Sequence, residues 1–171
     1  KPALALIAKA LADQDVHMRL VAAGALGRMG SEPGLKLIEQ ALADQDAQVR
    51  CAAQGALGNV GGEKALAFAK RALASQDTGE RIGAIAVLSR MDGDKEAEAL
   101  IEQALADPNT VVRSSVVWSL DLGCGKKELA LLRKGLADQH AWVRNSAAVK
   151  LERFAGDQAR VLLLEQLVKE K

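Results

Sequence analysis

Few side chains in this sequence are equipped for chemistry. Cys51 and Cys124 are the two cysteines, His17 and His140 the two histidines, in 171 residues. A metal centre needs several such groups converging on one point, and the two histidines fall at opposite ends of the repeat described below. No G-x-S-x-G turn, Walker A loop or H-E-x-x-H pair occurs in the sequence, so the familiar nucleophile, phosphate cradle and zinc-hydrolase motifs are missing. No catalytic, cofactor-binding or metal-binding residue is assigned. Two other residue types stand out: an arginine recurring at Arg19, Arg50, Arg81, Arg113 and Arg144, and an isolated pair of indoles, Trp118 and Trp142.

The elements that must position these residues follow from composition and period. Hydrophobic residues make up 49% of the chain and aromatics 2%, with 32 Ala and 25 Leu. These small and straight-chain residues are the best helix formers, which excludes an all-β fold. Two cysteines are too few for a disulfide scaffold, and the apolar content with net charge +1 excludes disorder. The balanced charge and scarce aromatics argue against a nucleic-acid partner. No apolar run approaches a membrane span and no secretory leader opens the chain. The start Lys1-Pro2, without Met, suits a piece of a longer protein.

The run Leu11-Ala12-Asp13-Gln14-Asp15 returns at Leu42, Leu73, Leu105 and Leu136, at spacings of 31, 31, 32 and 31, each time followed by one of the arginines. In the second unit a short helix A is predicted from Pro33 to Ala43, with Leu35, Ile38, Ala41 and Leu42 on one stripe. A longer helix B is predicted from Asp46 to Val60, with Val49, Ala53, Ala56, Leu57 and Val60 on one face. Asp46 is its N-cap and Gly61-Gly62 its stop, with the same punctuation at Gly30, Gly93, Gly123 and Gly156. This pattern predicts a single array of about eleven helices in five and a half repeats: units 1–30, 31–61, 62–93, 94–124 and 125–155, then a final helix over 156–171. A pair of helices this short cannot bury its own apolar face, so units must stack. Gly24 and Gly55, at equivalent B positions, are expected to serve close packing between layers.

An arginine in the first turn of a helix opposes the macrodipole, so it needs carboxylates. The repeat supplies Asp13, Asp44, Asp107 and Asp138, which predicts an Asp–Arg ladder from turn to neighbouring turn. Ser75 breaks the series, with Asp77 or Glu80 as substitutes. Cys51 and Cys124, two layers apart, are separated by roughly 20 Å if each layer adds about 10 Å, beyond the roughly 7 Å reach of a disulfide. Free cysteines point to a cytoplasmic setting. His140 takes the N-cap place filled elsewhere by Asp or Asn.

The pattern Leu-x-Asp-x-Asp-x-x-Val-Arg-x-x-Ala-x-x-Ala-Leu-Gly, clearest from Leu42 to Gly58, resembles the short bacterial and archaeal HEAT repeats, also called phycobilin-lyase-like. The resemblance covers nearly the whole chain. It implies an all-α, right-handed α-α superhelix and a protein-binding scaffold whose B helices line the concave side. Departures are Glu80 for the usual Val, Ser89 for Gly, Ser119-Leu120-Asp121, and Lys150-Leu151-Glu152. Deoxyhypusine hydroxylase has this architecture but binds iron through His-Glu pairs, which are missing here. HEAT-like DNA glycosylases use a basic groove with aromatics, also missing. A lyase subunit fits by repeat type, yet nothing points to a bilin pocket.

On that frame, the variable columns of helix B are the candidate interface. They read His17, Gln48, Gly79, Val111, Trp142, then Leu20, Cys51, Ile82, Ser114, Asn145. One turn further come Gly24, Gly55, Ala86, Trp118, Val149, and last Arg28, Asn59, Arg90, Leu122, Arg153. Trp and Arg dominate interface hot spots. Trp118 and Trp142 with Arg90, Asn145 and Arg153 are therefore the expected partner-binding patch, joined by Gln48 and Asn59. The competing reading has Trp142 covering an Asp138–Arg144 pair in its own unit. The first helix from Ala3 to Leu11 and the last, with Val161 to Val168, are apolar on most faces, which predicts self-association of the ends or a longer array. The expected function is a non-enzymatic scaffold for a protein partner, without nucleic acid, membrane or cofactor. The alternative is an accessory or lyase-type subunit holding a cofactor-bearing protein.

Overall fold

A computed structural model describes residues 2–29, 34–120 and 126–153. Within them lie ten helices: α1 (Pro2–Leu11), α2 (Val16–Met29), α3 (Leu35–Leu42), α4 (Ala47–Val60), α5 (Gly62–Leu73), α6 (Thr78–Leu88), α7 (Lys95–Ala104), α8 (Thr110–Ser119), α9 (Lys126–Leu136) and α10 (Ala141–Glu152). Among the described residues there is no strand. Odd-numbered helices are the A and even-numbered the B helices of the repeat. The expected eleventh helix, Cys124, Asp121, Leu122, Phe154 and the stops Gly30, Gly123 and Gly156 lie outside the described residues.

Each B helix starts because one short polar side chain catches its orphan amides. Asp46 Oδ1 accepts from the Gln48 amide at 2.8 Å and the Val49 amide at 3.3 Å. Asp15, Asp77, Asn109 and, through Nδ1, His140 take the same place. Such caps are worth about 1 kcal/mol each. Helix α4 stops at Gly61, whose φ of 66° few residues other than glycine adopt cheaply.

The chain falls into two compact units, Lys1–Glu98 and Ala99–Lys171, divided inside α7. In the first, α1, α3 and α5 pack on α2, α4 and α6 respectively, and the B helices pack on one another in series. Their contact faces are built from Ala22, Ala23, Leu26, Val49, Ala53, Ala56, Leu57, Ala84, Ile85 and Leu88, all buried. In the second, α10 packs on both α8 and α9 around Val112, Val116, Val117, Leu132, Val143, Ala147 and Leu151. Lys134 of α9 pairs with Glu102 of α7 at the exposed edge.

The close-packing glycines are not the expected pair. A Cβ at Gly24 would meet nothing nearer than the Arg28 guanidinium at 3.6 Å, and one at Gly55 would meet the flexible Arg90 guanidinium at 3.3 Å. Tight contact falls one turn later. A Cβ at Gly27 would lie 3.2 Å from Ala56 Cα, and one at Gly58 would lie 2.6 Å from the Val87 carbonyl oxygen. The B helices cross closest near their C-terminal ends, so the consensus glycine sets the layer spacing there. Gly58→Ala is expected to lower stability by about 1–3 kcal/mol through overpacking against backbone. Gly24→Ala should be neutral or stabilising by up to about 1 kcal/mol. Urea denaturation of the two variants checks the contrast.

Candidate functional site

Two constructions use the polar residues of this chain, one architectural and one outward-facing. The recurring arginine belongs to the first. Arg19 donates through Nε to Asp44 Oδ2 at 2.8 Å and through Nη2 to Asp44 Oδ1 at 3.2 Å. Its Nη1 reaches back to the carbonyl oxygens of Asp13 and Gln14 at 3.1 and 3.0 Å. Arg113 repeats this on Asp138 at 2.7 and 2.9 Å, with Nη1 on the carbonyls of Asp107 and Pro108. Arg19 and Arg113 are 7% and 4% exposed, a burial that a cation tolerates only with its donors satisfied. The planar fork does so, facing the carboxylate with one edge and the turn with the other. These contacts, rather than the helix N-terminus, decide where the cation sits.

The register is from one repeat to the next: the aspartate belongs to the turn that follows, 25 residues on. That carboxylate has a second task. Asp44 Oδ1 accepts from the Asp46 amide and Asp138 Oδ1 from the His140 amide, both at 2.8 Å, fixing the turn before the B helix. The arginine hydrogen bond, then the backbone amide, hold both carboxyls below the usual aspartate range against the opposing effect of burial. The same pairing raises Arg19 and Arg113.

At Ser75 the turn survives and the pair does not. Ser75 Oγ accepts from the Asp77 amide at 3.1 Å, replacing the aspartate's role toward its own turn. Arg50 keeps the carbonyls of Asp44 and Gln45 at 2.8 and 2.9 Å but gains no carboxylate among the described residues. Asp77 and Glu80 do not substitute, because Asp77 caps α6 through the Glu80 amide. Arg81 and Arg144 also clamp their own turns, Arg81 on the carbonyls of Ser75 and Gln76, Arg144 on those of Asp138 and Gln139.

The second construction is the outer face of the B helices. In the first unit Gln48 and Asn59 are exposed, as are Cys51 and Arg90. Asn59 Nδ2 donates to the Gly27 carbonyl at 3.0 Å, capping the end of α2 from α4, and Arg90 Nη1 reaches Asn59 Oδ1 at 3.5 Å. Arg90 thus has its partner in the first unit, whereas the tryptophans belong to the second. A shallow depression lies between the turns before α2 and α4, lined by Gln14, Asp15, Val16, Arg19, Gln45 and Asp46; its arginine is the clamp just described. Among the described residues no cluster of His, Cys, Asp or Glu could hold a metal, and no helix is long and apolar enough to cross a membrane.

In the second unit Trp142 is 61% and Trp118 43% exposed. Trp142 reaches the neighbouring B helix. Its indole Nε1 donates to Ser114 Oγ on α8 at 3.1 Å, while the Asp138 carboxylate receives Arg113. Ser114 and Ser146, both buried, share a hydrogen bond of 3.0 Å, and Ser146 donates to the Trp142 carbonyl. Lys150 Nζ donates to the Trp118 carbonyl at 2.9 Å, and Lys150 and Arg153 stand 5.9 and 5.8 Å from the Trp118 ring centre, within cation–π range. Asn145 is exposed on the same helix. Sequence reasoning placed Ser114 in a variable column without giving it a role, noted Lys150 only as a departure from the repeat, and missed Ser146. The signal was partial: Ser146 and Lys150 stand where the first three units carry Val21, Ala52, Gly83 and Ala25, Ala56, Val87.

Stacked pairs of short helices, locked by an arginine clamp at each turn, define a helical-repeat protein. A family profile described as HEAT repeats matches residues 34–121, just over half of the chain, and the chain belongs to that family. No curated protein matches. Among solved structures, similarity extends to an engineered protein (17% identity, TM-score 0.49, covering 99% of this chain and 87% of that one). An archaeal HEAT-like repeats protein from Thermococcus onnurineus is 24% identical, with TM-score 0.43 and coverages of 96% and 76%. Human deoxyhypusine hydroxylase in complex with glycerol is 19% identical, with TM-score 0.41 and coverages of 96% and 78%.

Two outcomes are expected from the clamp. Since folding depresses the Asp44 and Asp138 carboxyls from about 3.9, their contribution is present above that value and is lost as pH falls through the depressed folded values. Asp138→Asn should flatten the acid limb of the stability profile, measured by urea midpoints from about pH 5 to pH 2. Ser75→Asp should give Arg50 its missing carboxylate and raise the unfolding free energy by up to about 1 kcal/mol at neutral pH, a gain that disappears in the same acid range.

Proposed function

We propose that this chain is a non-enzymatic protein-interaction scaffold that presents the outer face of its B helices to a protein partner. The observation that carries this reading is the state of the two tryptophans. In a chain with 2% aromatics whose buried hydrophobic side chains are aliphatic among the described residues, both indoles stand outward on α8 and α10. The Trp142 indole is tethered through its N–H to Ser114 of the neighbouring B helix, and the Trp118 ring lies within cation–π range of Lys150 and Arg153. Exposing that much apolar ring costs solubility and gains nothing for folding, while an indole held in place loses little freedom on binding. The buried ionisable groups of the clamp are engaged with one another and with turn carbonyls, an architectural use that leaves them out of chemistry.

Leu6, 70% exposed on α1, fits self-association through the first helix as a secondary use. The test is affinity capture from source lysate with the wild-type chain and with the Trp118→Ala/Trp142→Ala double variant, folding of each verified by far-ultraviolet circular dichroism. A protein retained by the wild type and lost by the double variant supports the scaffold. Equal retention by both removes the tryptophan face from the reading.

A further inference from the structure

The net charge of +1 hides a segregation of charge. Helices α2, α4 and α8 contain no Asp or Glu, α6 contains Glu80, and α10 contains Glu152. The other described carboxylates sit on A helices and in turns, where eight aspartates serve as caps or turn acceptors. The B helices and their ends carry Arg28, Arg90, Lys150 and Arg153 in addition to the clamp arginines.

In the second unit this bias coincides with the indoles. Arg153 is exposed and lies against the Trp118 ring, and its guanidinium has no carboxylate partner among the described residues. Glu152 adjoins it in sequence but stands about 100° around the helix axis. Val111, 55% exposed, and Trp142 extend the apolar surface. With its Cζ 5.8 Å from the Trp118 ring centre and its side chain exposed, the Arg153 guanidinium is available to a carboxylate, which a planar fork can receive bidentately. Lys150 adds positive potential from below, its Nζ tied to the Trp118 carbonyl.

We infer that the α8–α10 face binds an acidic protein segment, one carboxylate seated on Arg153 and an apolar side chain placed between the Trp118 and Trp142 indoles. This rests on the scaffold reading and adds the partner's chemistry. A single exposed guanidinium beside apolar surface suits an isolated carboxylate with a hydrophobic neighbour. A nucleic-acid strand, with a phosphate at every nucleotide, requires a row of cations.

A random peptide library displayed on phage and selected on the full chain tests this, with affinities of the enriched peptides measured by calorimetry at low and high salt. Enriched sequences should combine Asp or Glu with a large apolar residue. Arg153→Gln should weaken them at least tenfold, about 1.4 kcal/mol, Arg153→Glu should redirect selection toward basic peptides, and added salt should weaken binding. Neutral or basic peptides selected on the wild type, an unchanged affinity in Arg153→Gln, or no enrichment would overturn the inference, as would a single-stranded oligonucleotide outcompeting the peptides. The two readings fail separately. If lysate capture depends on the tryptophans but not on Arg153, the scaffold stands and the acidic partner falls; if capture ignores the tryptophans too, both fall.

Discussion

The fold depends on finding a home for one arginine per turn, buried at Arg19 and Arg113 and half-buried at Arg50, Arg81 and Arg144. An arginine in the first turn of a helix is electrostatically misplaced, and burial makes the misplacement worse. The solution is to aim the fork away from the helix, onto two turn carbonyls and the carboxylate of the following turn. Because that carboxylate also receives the amide two residues on, a single arginine fixes the conformation of its own turn and the position of the next. Propagation is therefore local: the geometry of one repeat is handed to its neighbour, as nearest-neighbour stability in repeat arrays requires.

Much of this was legible in the sequence, since the clamp and the caps are set by residue type at fixed spacing. Asp46, Asp77, Asn109 and His140 announce the B helices, and Arg19 with Asp44 announces a pair. What the spacing leaves open is register. Every unit carries the arginine and all but the third the aspartate, so the spacing does not say whether an arginine reaches the preceding or the following turn. The glycines failed for a related reason. Gly24 and Gly27 share a helix and a composition, and which one meets the next layer depends on where two helices cross, a property of their mutual angle rather than of either sequence. Ser114, Ser146 and Lys150 were invisible as a group because their connection runs across layers, about one repeat length apart.

Layer spacing and surface chemistry are linked through side-chain size. B helices that approach through Ala and Gly leave little interlayer room for rings, so an aromatic side chain on such a helix is displaced toward its outer edge. The serines under Trp142 turn that displacement into a fixed position, since the indole N–H finds an acceptor one helix away. The same small-residue packing that makes the stack compact thereby determines where bulk can appear and holds it there.

The distribution of rings also decides how the molecule can be watched. With no tyrosine and two tryptophans, near-ultraviolet absorption and emission arise almost wholly from α8 and α10, while the first unit contributes Phe68 alone among the described residues. Its aliphatic core is dark in the near ultraviolet: loosening there leaves ring absorption and emission unchanged, and amide-based methods register it. Emission from this protein therefore reports the state of one face of one unit.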